Sequence, residues 1–193
     1  MSFKTSLIVF GMFMAVGISG LVAIQSGWYP IAMVNFDIIT RHAFERNYFT
    51  AATYYENAVL VYGKQKDPLE IDTIRKELTR ATLDKLILDS IIAREVADRV
   101  GSDESDTIAE QKISAFITAH DIDTAVETLY GVDFDEFKSR ILIPQAYREI
   151  LEGRMLLDNE NFDAWLAGKK QDSSVFIFFP GLEWRDSVVQ VQE

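Results

Sequence analysis

The chain contains no cysteine, two histidines and four prolines among its 193 residues. Without cysteine there is no disulfide framework, no thiolate nucleophile and no thiolate metal ligand. That absence fits a non-cytoplasmic bacterial protein as well as a cytosolic one. The histidines, His42 and His120, stand far apart in sequence, and the paired histidines of a helical zinc site are missing. No Gly-rich phosphate loop and no G-x-S-x-G elbow occurs. The acidic runs Asp103/Glu104/Asp106, Asp121/Asp123 and Asp133/Asp135/Glu136 sit where helices are expected to begin, and negative charge there complements the helix dipole. None of them combines alternating oxygen ligands with a turn glycine, as a calcium loop requires. The expectation is a non-enzymatic protein with no catalytic residues, no cofactor and no metal.

Positive charge is also scarce. The formal net charge is -11. Setting aside Lys4 leaves 18 basic against 30 acidic residues, so everything beyond the N-terminal segment carries 18 - 30 = -12. Such a surface repels phosphate backbones, which argues against nucleic acid as a partner. It is compatible with solubility and with basic polypeptide partners.

Charge is absent altogether from Thr5 to Phe36. Within that run Ser6–Ile24 reads SLIVFGMFMAVGISGLVAI. A helix of this length rises about 28 Å, close to the hydrocarbon thickness of a bilayer. Trp28 and Tyr29 follow at the position of an interfacial aromatic anchor. A cleaved signal peptide fits less well. The run exceeds the usual apolar core of about 7–15 residues, and no good small-x-small cleavage site follows it. Residues 1–29 are therefore expected to form a cytoplasmic stub and an uncleaved transmembrane signal-anchor, and residues 30–193 an extracytoplasmic domain. Lys4 and the terminal amine favour an inside N-terminus. This places the chain in a bacterial inner membrane with a single span, its soluble part facing the periplasm or cell exterior. Gly11, Gly17 and Gly20 would let spans pack closely, leaving homo-oligomerisation as an option.

Beyond the span the pattern is mainly helical. Ile31–Asn35 reads as a short strand, Phe36-Asp37 as a turn and Ile38-Ile39 as the return. Thr40 is the expected N-cap of a helix running to about Tyr62, with Gly63 as its stop. After a polar connection over Lys64–Pro68, a long helix is expected from about Leu69 to Val100, with Gly101 as terminator. Its inner stripe comprises Ile71, Ile74, Leu78, Leu83, Ile87, Ile91 and Val96. Ser102 or Asp103 would cap the next helix, and Asp121 a short one ending at Gly131. Asp133 and Glu136 have capping-box spacing. Pro144 lies inside the helix they open and should kink it near Arg140. Phe162, Trp165 and Leu166 mark one further helix. Val175–Phe179, VFIFF, and Val188–Val191 read as late strands. A two-stranded hairpin does not stand alone, so the early strand is expected to pair with Val175–Phe179 and close the domain.

Aromatic side chains are what the sequence offers as a binding surface. Tyr48, Phe49, Tyr54, Tyr55 and Tyr62 lie on or beside one helix. Phe49, Tyr54, Tyr55 and Tyr62 are the candidate binding residues for extended or unfolded chains, because aromatics bury much area with few rotors.

These segments carry a family resemblance. VNFDIITRHAF, Val34 to Phe44, resembles the opening of the chaperone domain shared by SurA, PpiD and PrsA-type proteins, usually V-N-G-x-x-I-(T/S)-x-x-x-F. ATLDKLILDSIIAREVADRVG, Ala81 to Gly101, is similar to its second signature. YGVDFDEFK, Tyr130 to Lys138, is similar to its third. Phe162–Trp165 and the strand from Val175 match its return to the sheet. The resemblance implies a SurA N-terminal-like domain, α+β and mainly α, closed by a small sheet from both ends of the domain. It implies ATP-independent binding of unfolded or nascent secreted and membrane polypeptides. Phe36 replaces the usual turn glycine. The parvulin prolyl-isomerase module that often follows needs histidines and a Gly-Gly segment. Only 14 residues follow Phe179, and no Gly-Gly pair occurs. The expectation is chaperone-like binding without isomerase activity. The alternatives are a non-catalytic adaptor subunit of a membrane complex and a divergent peptidyl-prolyl isomerase relative.

Overall fold

The computed structural model describes residues 27–62, 68–119 and 122–192; the side chains of 60–62, 68–70 and 118–119 are not described. The expected anchor Ser6–Ile24, Gly63 and the cap Asp121 lie outside the described residues, and so does His120. No helix among the described residues is long and apolar enough to cross a membrane.

The architecture is mainly helical, with strands at both ends of the described chain. Strands β1 (Pro30–Val34) and β2 (Asp37–Thr40) form a hairpin. Helices α1 (Arg41–Tyr62), α2 (Pro68–Val100), α3 (Ser102–Ala119), α4 (Asp123–Tyr130) and α5 (Phe134–Phe137) follow. A π-helical turn, Lys138–Leu142, leads into α6 (Ile143–Leu157), and α7 (Phe162–Asp172) precedes β3 (Val175–Ile177). Strands β4 (Leu182–Arg185) and β5 (Val188–Val191) form a second hairpin.

The expected closure is observed. β3 pairs antiparallel with β1, placing Ala32 opposite Ile177, Met33 opposite Phe176 and Val34 opposite Val175. The strand order is β2-β1-β3. Val188–Val191 does not join this sheet. It pairs with β4, a strand that the charged LEWR sequence conceals. Backbone groups of Val189 are met from α2: its N–H donates to Asp84 Oδ1 (3.1 Å), and its carbonyl accepts from Arg80 Nη1 (3.2 Å).

Local signals explain the helix limits. Thr40 Oγ1 accepts from the Ala43 amide at 3.2 Å, the expected cap. α2 runs to Val100 and stops at Gly101, whose φ of +95° costs glycine little. Gly131, at φ +66°, ends α4. Asn161 caps α7 by accepting from the Ala164 amide at 2.8 Å. Ile71 departs from its expected inward place and is exposed, because the first turns of α2 extend beyond the main core.

Pro144 acts differently from a simple kink. The chain widens into the π turn just before it, and the Ile143 amide donates to the Lys138 carbonyl. Proline then occupies the first turn of α6, where a missing amide is least costly.

Two main apolar clusters meet on α2. Leu83, Ile87 and Ile91 pack with Ile31, Val34, Ile39, Phe44, Leu182 and Val189 beneath the strands. Ile92 and Val96 pack with Ala109, Ile113, Ile150, Leu151 and Met155 between the helices. A smaller cluster, Val126, Val132 and Phe137, joins α4 to α5.

Candidate functional site: the outer face of the closing sheet

An antiparallel sheet with one solvated face ordinarily alternates apolar inside with polar outside. The three-stranded sheet does not. Its inner face carries Ala32, Val34 and Ile39, all buried. Its outer face carries Ile38, Met33 and Phe176, which register places in one row across all three strands. Phe178 continues that face and Phe36 stands at the hairpin tip. Exposure is 86% at Phe36, 62% at Ile38, 56% at Phe178 and 54% at Phe176, so this apolar row lies open.

The hairpin tip holds its aromatic at a conformational cost. The turn falls on Asn35 and Phe36, one residue before the expected Phe36-Asp37. Their φ angles are +48° and +78°. Asparagine tolerates this region, whereas an aromatic there costs roughly 1–2 kcal/mol. Phe36 therefore sits, strained and exposed, where glycine would be relaxed.

Asn35 fixes the tip to the returning strand. Its Nδ2 donates to Ser173 Oγ (3.1 Å), its Oδ1 accepts from the Ser174 amide (2.9 Å), and its own amide donates to the Ser174 carbonyl (3.0 Å). Arg94 Nη1 donates to the Asn35 carbonyl and to Asp37 Oδ2, both at 3.2 Å. One asparagine thus joins β1, the start of β3 and, through Arg94, α2. These bonds hold the hairpin tip against the returning strand and α2.

Three of the four helix aromatics proposed from sequence, Phe49, Tyr54 and Tyr55, do not share one surface. Successive positions on a helix rotate by about 100°, so Tyr54 and Tyr55 lie about 140° and 240° around from Phe49. Phe49 is exposed and lines an open groove of about 580 Å³ with His42, Arg46, Val132, Glu136 and Arg140. Tyr54 stacks on Tyr130, with ring centroids 4.9 Å apart. Tyr55 lines a different groove, about 220 Å³, against Ile71, Ile74 and Leu78. The side chain of Tyr62 lies outside the described residues. The sheet residues were missed because a short apolar run reads as a buried strand; the signal was that VFIFF contains no polar alternate.

Arg140 explains part of the Phe49 groove. Its guanidinium is buried, donating to Thr50 Oγ1 (2.7 Å) and the Arg46 carbonyl (3.1 Å) and pairing with Glu136 at 2.5 Å. Burial, then the nearby Arg46 charge, push its pKa down, and Glu136 opposes them. Glu136 also receives Arg46 at 2.7 Å. The expected capping box is therefore half made: Asp133 accepts from the Glu136 amide at 2.8 Å, while the Glu136 carboxylate serves the two arginines. These bonds tie the π turn to α1.

Among the described residues no group of three or more histidine, aspartate and glutamate side chains is placed to hold a metal. His42 instead stacks against Trp28, with ring centroids 5.5 Å apart. What the site offers is apolar contact next to an ordered sheet. Comparison with family models, curated proteins and solved structures returned no match for this chain.

Proposed function

We propose that this chain is a membrane-tethered, extracytoplasmic, ATP-independent chaperone-like protein of the SurA/PpiD/PrsA type, binding unfolded or nascent polypeptides and lacking isomerase activity. One observation carries the reading: the outward row of Ile38, Met33 and Phe176, flanked by Phe36 and Phe178, on a sheet whose other face already forms the core. An open apolar surface of this kind marks an interaction site. The closing β1–β3 pair and the uncharged N-terminal run support the family and the tether respectively.

The magnitudes suit transient binding. Covering these side chains removes on the order of 400–500 Å² of apolar surface, about 10 kcal/mol gross. Lost translational and rotational freedom, with ordering of the bound chain, offsets most of that gain. The residue is weak, reversible affinity, and tethering compensates by raising the local concentration of clients at the same membrane surface.

The test is light scattering from a thermally unfolding model enzyme, with the full chain in nanodiscs. Aggregation should be suppressed at a few-fold molar excess, and Ile38→Ser with Phe176→Ser should weaken suppression at least about threefold. Full suppression by the double variant contradicts this site; no suppression by the parent chain contradicts the function.

A further inference from the structure

The uncharged N-terminal run enters the described chain at Gly27, and its last residues are bonded to α1. The Gly27 carbonyl accepts from the His42 amide at 2.8 Å, and the Tyr29 carbonyl from the Arg41 amide at 3.0 Å. Both amides belong to the first turn of α1, where an amide has no partner inside the helix. With Thr40 Oγ1 on the Ala43 amide, three successive donors are met. Gly27 makes the approach possible. Its φ is +72°, and a Cβ there would lie 3.3 Å from the His42 backbone nitrogen. Residues 27–29 are therefore part of the domain's framework rather than a free leash.

The two aromatics of this segment part company. Tyr29 packs against the core cluster beneath the strands. Trp28 faces out: it stacks on His42, with ring planes 12° apart, and stays 64% exposed. A large ring with one N–H suits the headgroup layer of a bilayer, apolar on one side and wet on the other. The surroundings carry no surplus charge. Arg41 is paired with Glu45 at 2.6 Å, and the run from Thr5 to Phe36 is uncharged. Phe178, whose amide donates to the Ile31 carbonyl at 2.7 Å, adds an exposed ring at the same end of the sheet.

We infer that Trp28 and the first turn of α1 are the domain's contact with the lipid headgroup layer, and that they hold the domain on the bilayer in one orientation. This rests on the membrane-tether reading and deepens it. Three Cα steps separate Ile24, the last residue of the apolar run, from Gly27, a reach of at most about 11 Å. A chain that crosses a bilayer as far as Ile24 cannot carry Trp28 far from its surface. Because residues 27–29 are bonded to α1, the domain follows. β1 begins at Pro30, so Met33 in the outer row lies only about 10 Å along the strand from this contact. The open row is thereby kept near the surface where membrane-bound chains emerge.

The experiment uses the full chain in phosphatidylcholine vesicles. Lipids brominated near the glycerol quench tryptophan on contact, and Trp28→Phe identifies the share of fluorescence that belongs to position 28. That share should fall at least about twofold, and no fall overturns the contact. A photo-crosslinker at position 28 in native membranes should join lipid; polypeptides joined there instead overturn the assignment. Orientation is read from the anisotropy decay of a dye on Arg154→Cys, which labels one site because the chain has no cysteine of its own. A docked domain keeps a residual anisotropy. Gly27→Val breaks the approach to His42 and should cut that residual at least about twofold with circular dichroism unchanged. An equal residual in parent and variant overturns the fixed orientation. Should Gly27→Val unfold, the parent decides: a residual supports the inference and decay to zero overturns it. Alkaline carbonate separates the two levels. A chain that washes off contradicts the tether, and this contact with it. A chain that stays but shows no quenching of Trp28 overturns the contact and leaves the tether standing. Neither result depends on aggregation suppression, which tests the chaperone reading separately.

Discussion

At the scale of single residues, Asn35 and Phe36 make opposite contributions. Asn35 accepts a positive φ and joins the hairpin to Ser173 and Ser174 with its side-chain amide. Asn35→Ala removes both side-chain bonds and leaves a poorer left-handed residue. It should cost about 2 kcal/mol, a fall in Tm of roughly 4–8 °C by circular dichroism. Phe36 stores strain at φ +78° while remaining exposed. Phe36→Gly should relax the turn and stabilise the fold by roughly 0.5–1 kcal/mol after the added freedom of the unfolded chain is counted. It should also weaken aggregation suppression. A gain in stability joined to a loss of activity is the result expected of a binding residue; a variant both less stable and fully active would remove Phe36 from the site. The VNFD stretch was legible as a strand and turn. The strain was not, because it depends on which two residues occupy the turn, and the expected pair lay one position too late.

At the scale of elements, α2 organises the molecule and α7 is locked to it by charge. Glu95 is buried on α2, where its carboxylate accepts from Arg99 Nε (2.7 Å) and Lys169 Nζ of α7 (2.7 Å). Arg99 also reaches Glu160 at 2.9 Å. Burial raises the Glu95 pKa, but the bonds from Lys169 and Arg99 together outweigh it and hold the group below its ordinary 4.5. A carboxylate with a depressed folded pKa adds stability above its unfolded value and loses it as pH falls through the folded one. Denaturant melts should therefore show stability falling as pH drops below about 4.5, and Glu95→Gln should cost about 2 kcal/mol at neutral pH and flatten that acid decline. An unchanged acid limb would show that Glu95 is not the responsible group. Helices α1 and α2 were readable from caps, glycine stops and apolar spacing. The π turn before Pro144 was not, since proline predicts a disturbance without saying whether the helix bends or widens. The β4 strand was hidden because two of its residues, Glu183 and Arg185, are charged.

At the scale of the whole molecule, the account turns on closure. β1 and β3 come from opposite ends of the described chain and pair residue for residue, which carries Phe176 alongside Met33 and Ile38. The pairing could be anticipated, because an isolated early hairpin needs a third strand. The open apolar face could not be read so directly: alternation is assigned within one strand, whereas the Ile38–Met33–Phe176 row exists only after three strands are in register. The helix aromatics show the converse. Their spacing was plain in sequence, yet Phe49, Tyr54 and Tyr55 point in different directions around α1. Photo-crosslinking in native membranes, with a crosslinking residue at position 176 and a control at exposed position 154, tests the central claim most directly. The account predicts many secreted or membrane polypeptides joined at 176 and few at 154. One stoichiometric partner at 176, or no difference between the two positions, would contradict it.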